Sequence, residues 1–202
     1  HRQDLGSGAY INASFDYTGY TAQDQTRARL TSQVLYSRRT PKFDWDVSAQ
    51  KLTDLSDEAF VGIGQFGGIE RLPEVSISSD TARLGRILPF NLPGRMRLSY
   101  GRFTELPGPE LDRVFLDISS PSTSYELSNT WTALVGAGFK QFIYGDNTAQ
   151  FSVDASAQLT KRLGDTSTFA LTYRYQEPEG FTPFRFDFIG KYNILNASLN
   201  LE

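Results

Sequence analysis

The chain has 202 residues, 20 basic against 23 acidic, for a formal net charge of −3, with 39% hydrophobic and 13% aromatic residues. This composition suits one domain able to bury a sizeable core, and its scattered Lys and Arg give no basic footprint for a nucleic-acid-binding protein. With no cysteine and a single histidine, at position 1, Cys/His zinc sites, thiol nucleophiles and haem attachment are excluded, and a Ser-His-Asp triad nearly so.

The longest run free of polar side chains, residues 133–139, falls far short of the ~18–20 apolar residues that a membrane-spanning helix needs. The start, His1-Arg2-Gln3-Asp4, does not resemble a signal peptide, so the chain reads as processed or as a piece of something longer.

Hydrophobic alternation with a period of two runs along the chain. Ala9, Ile11, Ala13, Phe15 and Tyr17 alternate with Tyr10, Asn12, Ser14, Asp16 and Thr18. Ala28, Leu30, Val34 and Tyr36 then oppose Arg27, Arg29, Thr31 and Gln33, and after the turn Thr40-Pro41-Lys42 come Phe43, Trp45, Val47 and Ala49 against Asp44, Asp46, Ser48 and Gln50. Further strands are expected near residues 74–80, 95–104, 113–119 and 128–144. The cleanest stretch puts Phe151, Val153, Ala155, Ala157 and Leu159 on one face and Gln150, Ser152, Asp154, Ser156 and Gln158 on the other. The turn Lys161-Arg162-Leu163-Gly164-Asp165 then reverses the chain into Phe169, Leu171, Tyr173 and Tyr175, with Thr172 and Arg174 on the polar face, as in an antiparallel hairpin. In residues 184–201 the apolar parity flips between Ile194 and Leu195, which predicts a bulge or tight turn.

Helical stripes are missing, and prolines punctuate the connections. The expectation is an all-β chain, residues 1–202 forming one unit of ten or eleven strands, many of the ~9–11 residues that cross a bilayer at a tilt. Alternation fits either a soluble sandwich with apolar residues inward or a membrane barrel with apolar residues outward. Three features favour an antiparallel transmembrane β-barrel, or a roughly ten-stranded segment of a larger one. The polar faces are rich in Ser, Thr, Asn, Gln and mixed charges. Aromatics such as Tyr17, Tyr20, Tyr36, Trp131, Tyr144, Tyr173, Tyr175 and Tyr192 fall near expected strand ends, where interfacial girdles belong. Short turns at 40–42 and 161–165 contrast with long loops at 79–93 and 176–183, as if sorted to opposite sides of a membrane.

The candidate chemical motifs are few. Gly62-Ile63-Gly64-Gln65-Phe66-Gly67 matches GxGxxG, but Gly68 and Pro73 leave no room for the helix that would hold a pyrophosphate, so it reads as a glycine-rich wall segment. Asp44 and Asp46 share a strand face, with Asp16 expected nearby; paired carboxylates suit acid/base work, Ca²⁺ or a charged pore lining. Arg27 with Arg29, and Arg95 with Arg97, also sit two apart on polar faces, where guanidiniums could meet phosphates of a glycolipid or balance lumen carboxylates such as Asp44 and Asp46. Together with Asp154 and Arg174, these are the candidate lumen-lining residues. No catalytic, cofactor or metal residues are assigned.

Two stretches carry a family resemblance. Gly68-Ile69-Glu70-Arg71-Leu72-Pro73-Glu74-Val75-Ser76-Ile77, with its R-L-P-E core, resembles the barrel of the LPS-assembly outer-membrane protein family (LptD, or organic solvent tolerance proteins); Glu179-Gly180-Phe181-Thr182-Pro183-Phe184-Arg185-Phe186-Asp187 is the second. The Tyr173–Tyr175 strand after the K-R-L-G-D turn is similar to hairpins near the carboxyl end of that barrel. The resemblance implies a periplasmic domain that receives lipopolysaccharide, a barrel of ~26 strands, a plug lipoprotein and a periplasmic bridge. This chain would supply less than half of such a barrel, lacks the cysteines many members carry, and shows no aromatic barrel terminus at Leu201-Glu202, so no gate or cargo residue carries over.

The expected function is therefore a non-enzymatic, cofactor-free outer-membrane barrel of a Gram-negative (diderm) bacterium. It would take part in transport and insertion of lipopolysaccharide or a similar glycolipid among outer-membrane lipids. The alternatives are a porin-like diffusion channel or other small barrel, and a soluble β-sandwich binding module.

Overall fold

In the structure, a computed structural model, residues 1–22, 25–56, 68–85, 93–164 and 166–201 are described, and of these the side chains of 20–22 and 25–27 are not. The period-two segments form one sheet of eleven strands in sequence order. They are β1 (Arg2–Gly6), β2 (Ala9–Ala22), β3 (Gln25–Arg39), β4 (Asp44–Asp54), β5 (Gly68–Asp80), β6 (Arg95–Leu106), β7 (Glu110–Glu126), β8 (Trp131–Tyr144), β9 (Ala149–Arg162), β10 (Thr168–Gly180) and β11 (Tyr192–Asn200). Every neighbouring pair is antiparallel. A single sheet excludes the two-layered sandwich.

Register fixes the faces, because one-residue slips would exchange them. Asp44 lies opposite Ser78, Ser78 opposite Arg97, Arg97 opposite Asp117, Asp117 opposite Lys140 and Lys140 opposite Ser152, a continuous polar row across six strands. This polar face is the sheltered one: Glu74, Ser76, Ser99, Arg113, Gln150 and Ser152 are buried on it. The other face exposes Phe15, Val34, Trp45, Val47, Leu98, Tyr100, Ile143 and Val153. The arrangement inverts that of a water-soluble domain.

Two irregularities re-aim side chains. The β4–β5 and β5–β6 registers both shift across Leu72-Pro73, which brings Arg71 and Glu74, three apart in sequence, onto the same inner face. There the Gln50 amide donates to the Ile69 carbonyl at 3.0 Å and the Leu52 N–H donates to the Glu70 carboxylate at 2.9 Å, so side chains take over bonds the ladder leaves unmade. Gly101 faces this bulge: a Cβ there would stand 2.7 Å from the Pro73 carbonyl oxygen and 2.8 Å from the Glu74 Cα. A second shift, in β7 between Ser120 and Thr123, surrounds Pro121, which has no N–H to give a ladder.

Several expectations are corrected. β11 pairs with β10 without any shift, so no bulge follows Ile194; Ile194 simply sits on the inner face opposite Arg174. Residues 184–187 do not join that strand but include a 3-10 turn, Arg185–Asp187. β1 and the short helix α1 (Thr81–Leu84), whose Arg83 N–H is capped by the Asp80 side chain, were not anticipated. Strict up-down order puts the connection 81–94 at the same end as the short turns at 40–43 and 163–167, so loop length does not sort the two ends. Tyr144 and Tyr192 belong to the inner face, opposite Arg113 and Gln176, and therefore to no outer girdle.

β1 and β11 are the sheet edges; β2 carries a partner on its outer side only over its first residues. All of β11 is exposed. The first edge is thus the short β1, outside the long strand β2.

The apolar core is small and lies inside the curve of the sheet. Phe103, Phe142, Tyr144 and Phe184 are buried together, with Ile69, Leu111, Phe115, Phe186 and Ile189 packed against them. Phe184, Phe186 and Ile189 come from the connection between β10 and β11, which folds onto the inner face of β6–β8.

Candidate functional site: a charged inner wall under an aromatic plug

The β5 bulge delivers Arg71 and Glu74, β6 delivers Arg97, and β7 delivers Arg113, all to one patch. Glu74, 5% exposed, has guanidinium nitrogens of Arg71 at 3.6 Å, Arg97 at 3.5 Å and Arg113 at 3.7 Å. Burying a lone carboxylate would be prohibitive, and three cations offset that cost.

Arg113 is held further by the β10–β11 connection. Its Nη1 donates to Asp187 Oδ1 at 2.5 Å, and the Tyr144 hydroxyl donates to Asp187 Oδ2 at 3.1 Å. Its guanidinium lies 3.9 Å from the Phe103 ring centre, where the ring face attracts a cation. Burial pushes the Asp187 carboxyl up, opposed by Arg113 and the Tyr144 hydroxyl.

The aromatic plug sits beside this ion pair. Phe184 is fully buried, with ring centres 5.7 Å from Tyr144, 6.4 Å from Phe103 and 4.9 Å from Phe186. Around it the Arg185 N–H donates to Glu105 Oε2 at 2.7 Å, the Gln176 amide donates to the Gly190 carbonyl at 2.8 Å, and Lys191 pairs with Glu177. Gly180 starts the connection with φ +91°, in the left-handed region, and a Cβ there would run into the Ala149 carbonyl oxygen. Phe181, by contrast, is 62% exposed. Of the three phenylalanines of this connection, Phe184 and Phe186 fold back onto the strands while Phe181 stays outside the core.

The expected lumen residues distribute differently from their sequence grouping. Arg95, Arg97 and Asp44 line one hollow of about 480 Å³ with Asp80, Arg83 and Asp117. Asp44 pairs with Arg83 of α1 at 2.8 Å, a partner that sequence spacing did not suggest. Asp46 lies between Ser37 and Ser76. Arg29 lies opposite Asp54, at the far end of the strands from Asp44 and Asp46, and Arg27, described only by its backbone, lies opposite Tyr20. Asp16 lies opposite Thr31, which faces Leu52, far along the strands from Asp44. Asp154 and Arg174 line a separate hollow of about 310 Å³ with Ser156, Gln158 and Thr172.

Among the described residues no group of three or more His, Cys, Asp or Glu could hold a metal ion, and no helix is long and apolar enough to cross a membrane, which says nothing of a β-barrel. The GxGxxG segment, residues 62–67, lies outside the described residues.

The cluster around Glu74 and Asp187 was not found from sequence. Its signal was the pairing of a bulge-forming Leu-Pro with flanking charges, and a phenylalanine-rich connection ending in an aspartate.

No protein-family model matches the sequence, and no curated protein matches it. Among solved structures, the loop L8 deletion mutant of OmpT, an outer membrane protein of Vibrio cholerae, overlays 85% of this chain and 57% of its own at 5% identity and a TM-score of 0.37. In-vitro folded OmpT overlays 84% and 53% at 5% identity, and outer-membrane expressed OmpT the same shares at 6%, each with a TM-score of 0.37. The chain spans little more than half the length of these structures.

Proposed function

We propose that the chain is wall of an outer-membrane β-barrel of a diderm bacterium, with its polar face toward an aqueous lumen and its apolar face toward lipid. The observation that carries this is the inverted polarity of the sheet: buried Ser, Gln, Glu and Arg on one face, and exposed Phe, Val, Leu, Trp and Tyr on the other. Water on both faces would leave a broad apolar surface uncovered, whereas a bilayer covers it and leaves the backbone ladder to satisfy itself. The function is passage rather than reaction, and no cofactor is required.

Within this reading the protein is of the LPS-assembly type and provides a route for lipopolysaccharide or a similar glycolipid, with a plug lipoprotein and a periplasmic bridge as partners. Its support is the resemblance in residues 68–77, the stretch that forms most of β5 and supplies Arg71 and Glu74 to the inner wall. The second reading, a diffusion channel, is favoured by the mixed charges of the hollow holding Asp44, Arg83, Arg95 and Arg97, since rings of charge set ion selectivity.

Depleting the protein from its host and following surface lipopolysaccharide separates these readings. Glycolipid held back in the periplasm supports the assembly role. Unchanged surface glycolipid, with an ion-selective conductance of the purified protein in planar bilayers, supports the channel. Recovery of the native protein in the aqueous fraction rather than with outer-membrane vesicles would overturn both.

A further inference from the structure

A hollow of about 160 Å³ opens beside the plug, lined by Ile69, Arg71, Glu74, Arg97, Phe103, Arg113, Phe115 and Phe186. Its charges are three guanidiniums against one carboxylate, and its remaining wall is apolar and mostly aromatic. Arg113 is the buried member, with a side chain 9% exposed. One of its terminal nitrogens serves Asp187 and the other stands 3.7 Å from Glu74, while its Nε has no hydrogen-bond partner among the described residues. A buried guanidinium donor left unmade is costly, and an acceptor that reaches it recovers that cost.

We propose that this hollow is a binding site for a small organic anion: one carboxylate or phosphate group on a ring-sized apolar body. Charge selects the anion, since Glu74 and the Asp187 carboxylate paired with Arg113 leave one of the three cations unbalanced. The planar donor fork of arginine suits an oxyanion with two or more oxygens. Volume and wall chemistry select the body, because an apolar cavity of ~150 Å³ accepts a benzene ring and Phe103, Phe115 and Phe186 line this one. A phospholipid with two acyl chains exceeds the space. The site belongs to the inner wall whichever cargo the barrel carries, so it does not depend on the glycolipid reading.

The test uses the full chain folded in detergent, with benzoate and phenyl phosphate as free probes, phosphatidic acid in mixed micelles as the lipid-borne source, and inorganic phosphate and benzyl alcohol as controls, all by calorimetric titration. Benzoate and phenyl phosphate are expected to bind, and the three others to bind at least about tenfold more weakly. Loss of one charge-assisted hydrogen bond, in Arg97→Gln, should weaken benzoate about tenfold. Arg95→Gln, which lines the neighbouring hollow instead, should leave the affinity unchanged. Because Arg113 is buried and its removal can prevent folding, Arg97→Gln, half-exposed, is the deciding variant, checked for an unchanged strand signal in circular dichroism. No binding of either aryl anion, equal binding of inorganic phosphate, tighter binding of phosphatidic acid, or benzoate affinity undiminished in Arg97→Gln would each overturn the proposal.

Discussion

Arg113 and Asp187, 74 residues apart in the chain, meet at 2.5 Å with both side chains more than nine-tenths buried. The pair fastens the β10–β11 connection to β7 in the interior of the curve. Removing one member of such a pair leaves the other buried and underpaired, which costs ~3–5 kcal/mol. Asp187→Asn is expected near the lower end, since Glu74 still stands 3.7 Å from Arg113. The double variant Arg113→Met/Asp187→Leu should cost less than either single change. Urea titrations of folding in lipid vesicles check this, and additive losses in the double variant would count against a coupled buried pair.

The plug rests on Phe184 more than on any other ring of its connection. Phe184→Ala should destabilise by ~3–5 kcal/mol, as truncation of a fully buried aromatic does. Phe181→Ala, at a 62% exposed position, should change stability by less than about 0.5 kcal/mol. Proteolysis at residues 181–191, compared between the two variants, reads the same difference: cleavage should accelerate in the first alone.

Most of the sheet was legible because period-two alternation is a property of the strand itself, and Phe151, Val153, Leu159, Phe169 and Leu171 lie on the face the sequence assigns. What escaped was set by contacts between distant segments. The Leu72-Pro73 bulge changes parity inside a strand that otherwise reads as regular, and so hides Arg71 beside Glu74. Arg83 reaches Asp44 from a helix of one turn, too short to leave a periodic trace. Tyr144 and Phe184 look like girdle aromatics by type, and only the fold-back of the β10–β11 connection turns them into core.

Inner positions differ in whether they tolerate a charge. Val153, exposed on the apolar face, should pay ~2–4 kcal/mol for arginine near the membrane midplane. Ser152 is no neutral control, because it is 1% exposed against the inner wall. Gln158, lining the 310 Å³ hollow, is the better one, and Gln158→Arg should shift stability by less than about 1 kcal/mol. Folding titrations in lipid compare the two directly.

The turn between β8 and β9 offers a pH test outside the strands. The Thr148 hydroxyl and N–H both donate to the Asp146 carboxylate, at 2.6 and 3.0 Å, and hold its pKa below the ordinary 3.8. A lowered folded value means that this contribution is present above the unfolded pKa and is lost as pH falls through the folded one. Carbon-13 NMR titration of Asp146 should therefore find a midpoint below 3.8, returning toward the ordinary value in Thr148→Val. An unchanged midpoint in that variant would refute the assignment.

The central claim is that one face of the sheet meets water and the other meets hydrocarbon. Because the chain has no cysteine, single cysteines carrying an environment-sensitive fluorophore can be placed at Val47, Leu98 and Val153 on one face and at Ser78, Ser156 and Gln158 on the other. With the protein in vesicles, the account predicts quenching of the first set by brominated lipids and of the second by aqueous iodide. The opposite assignment, or iodide quenching of both sets alike, would contradict it.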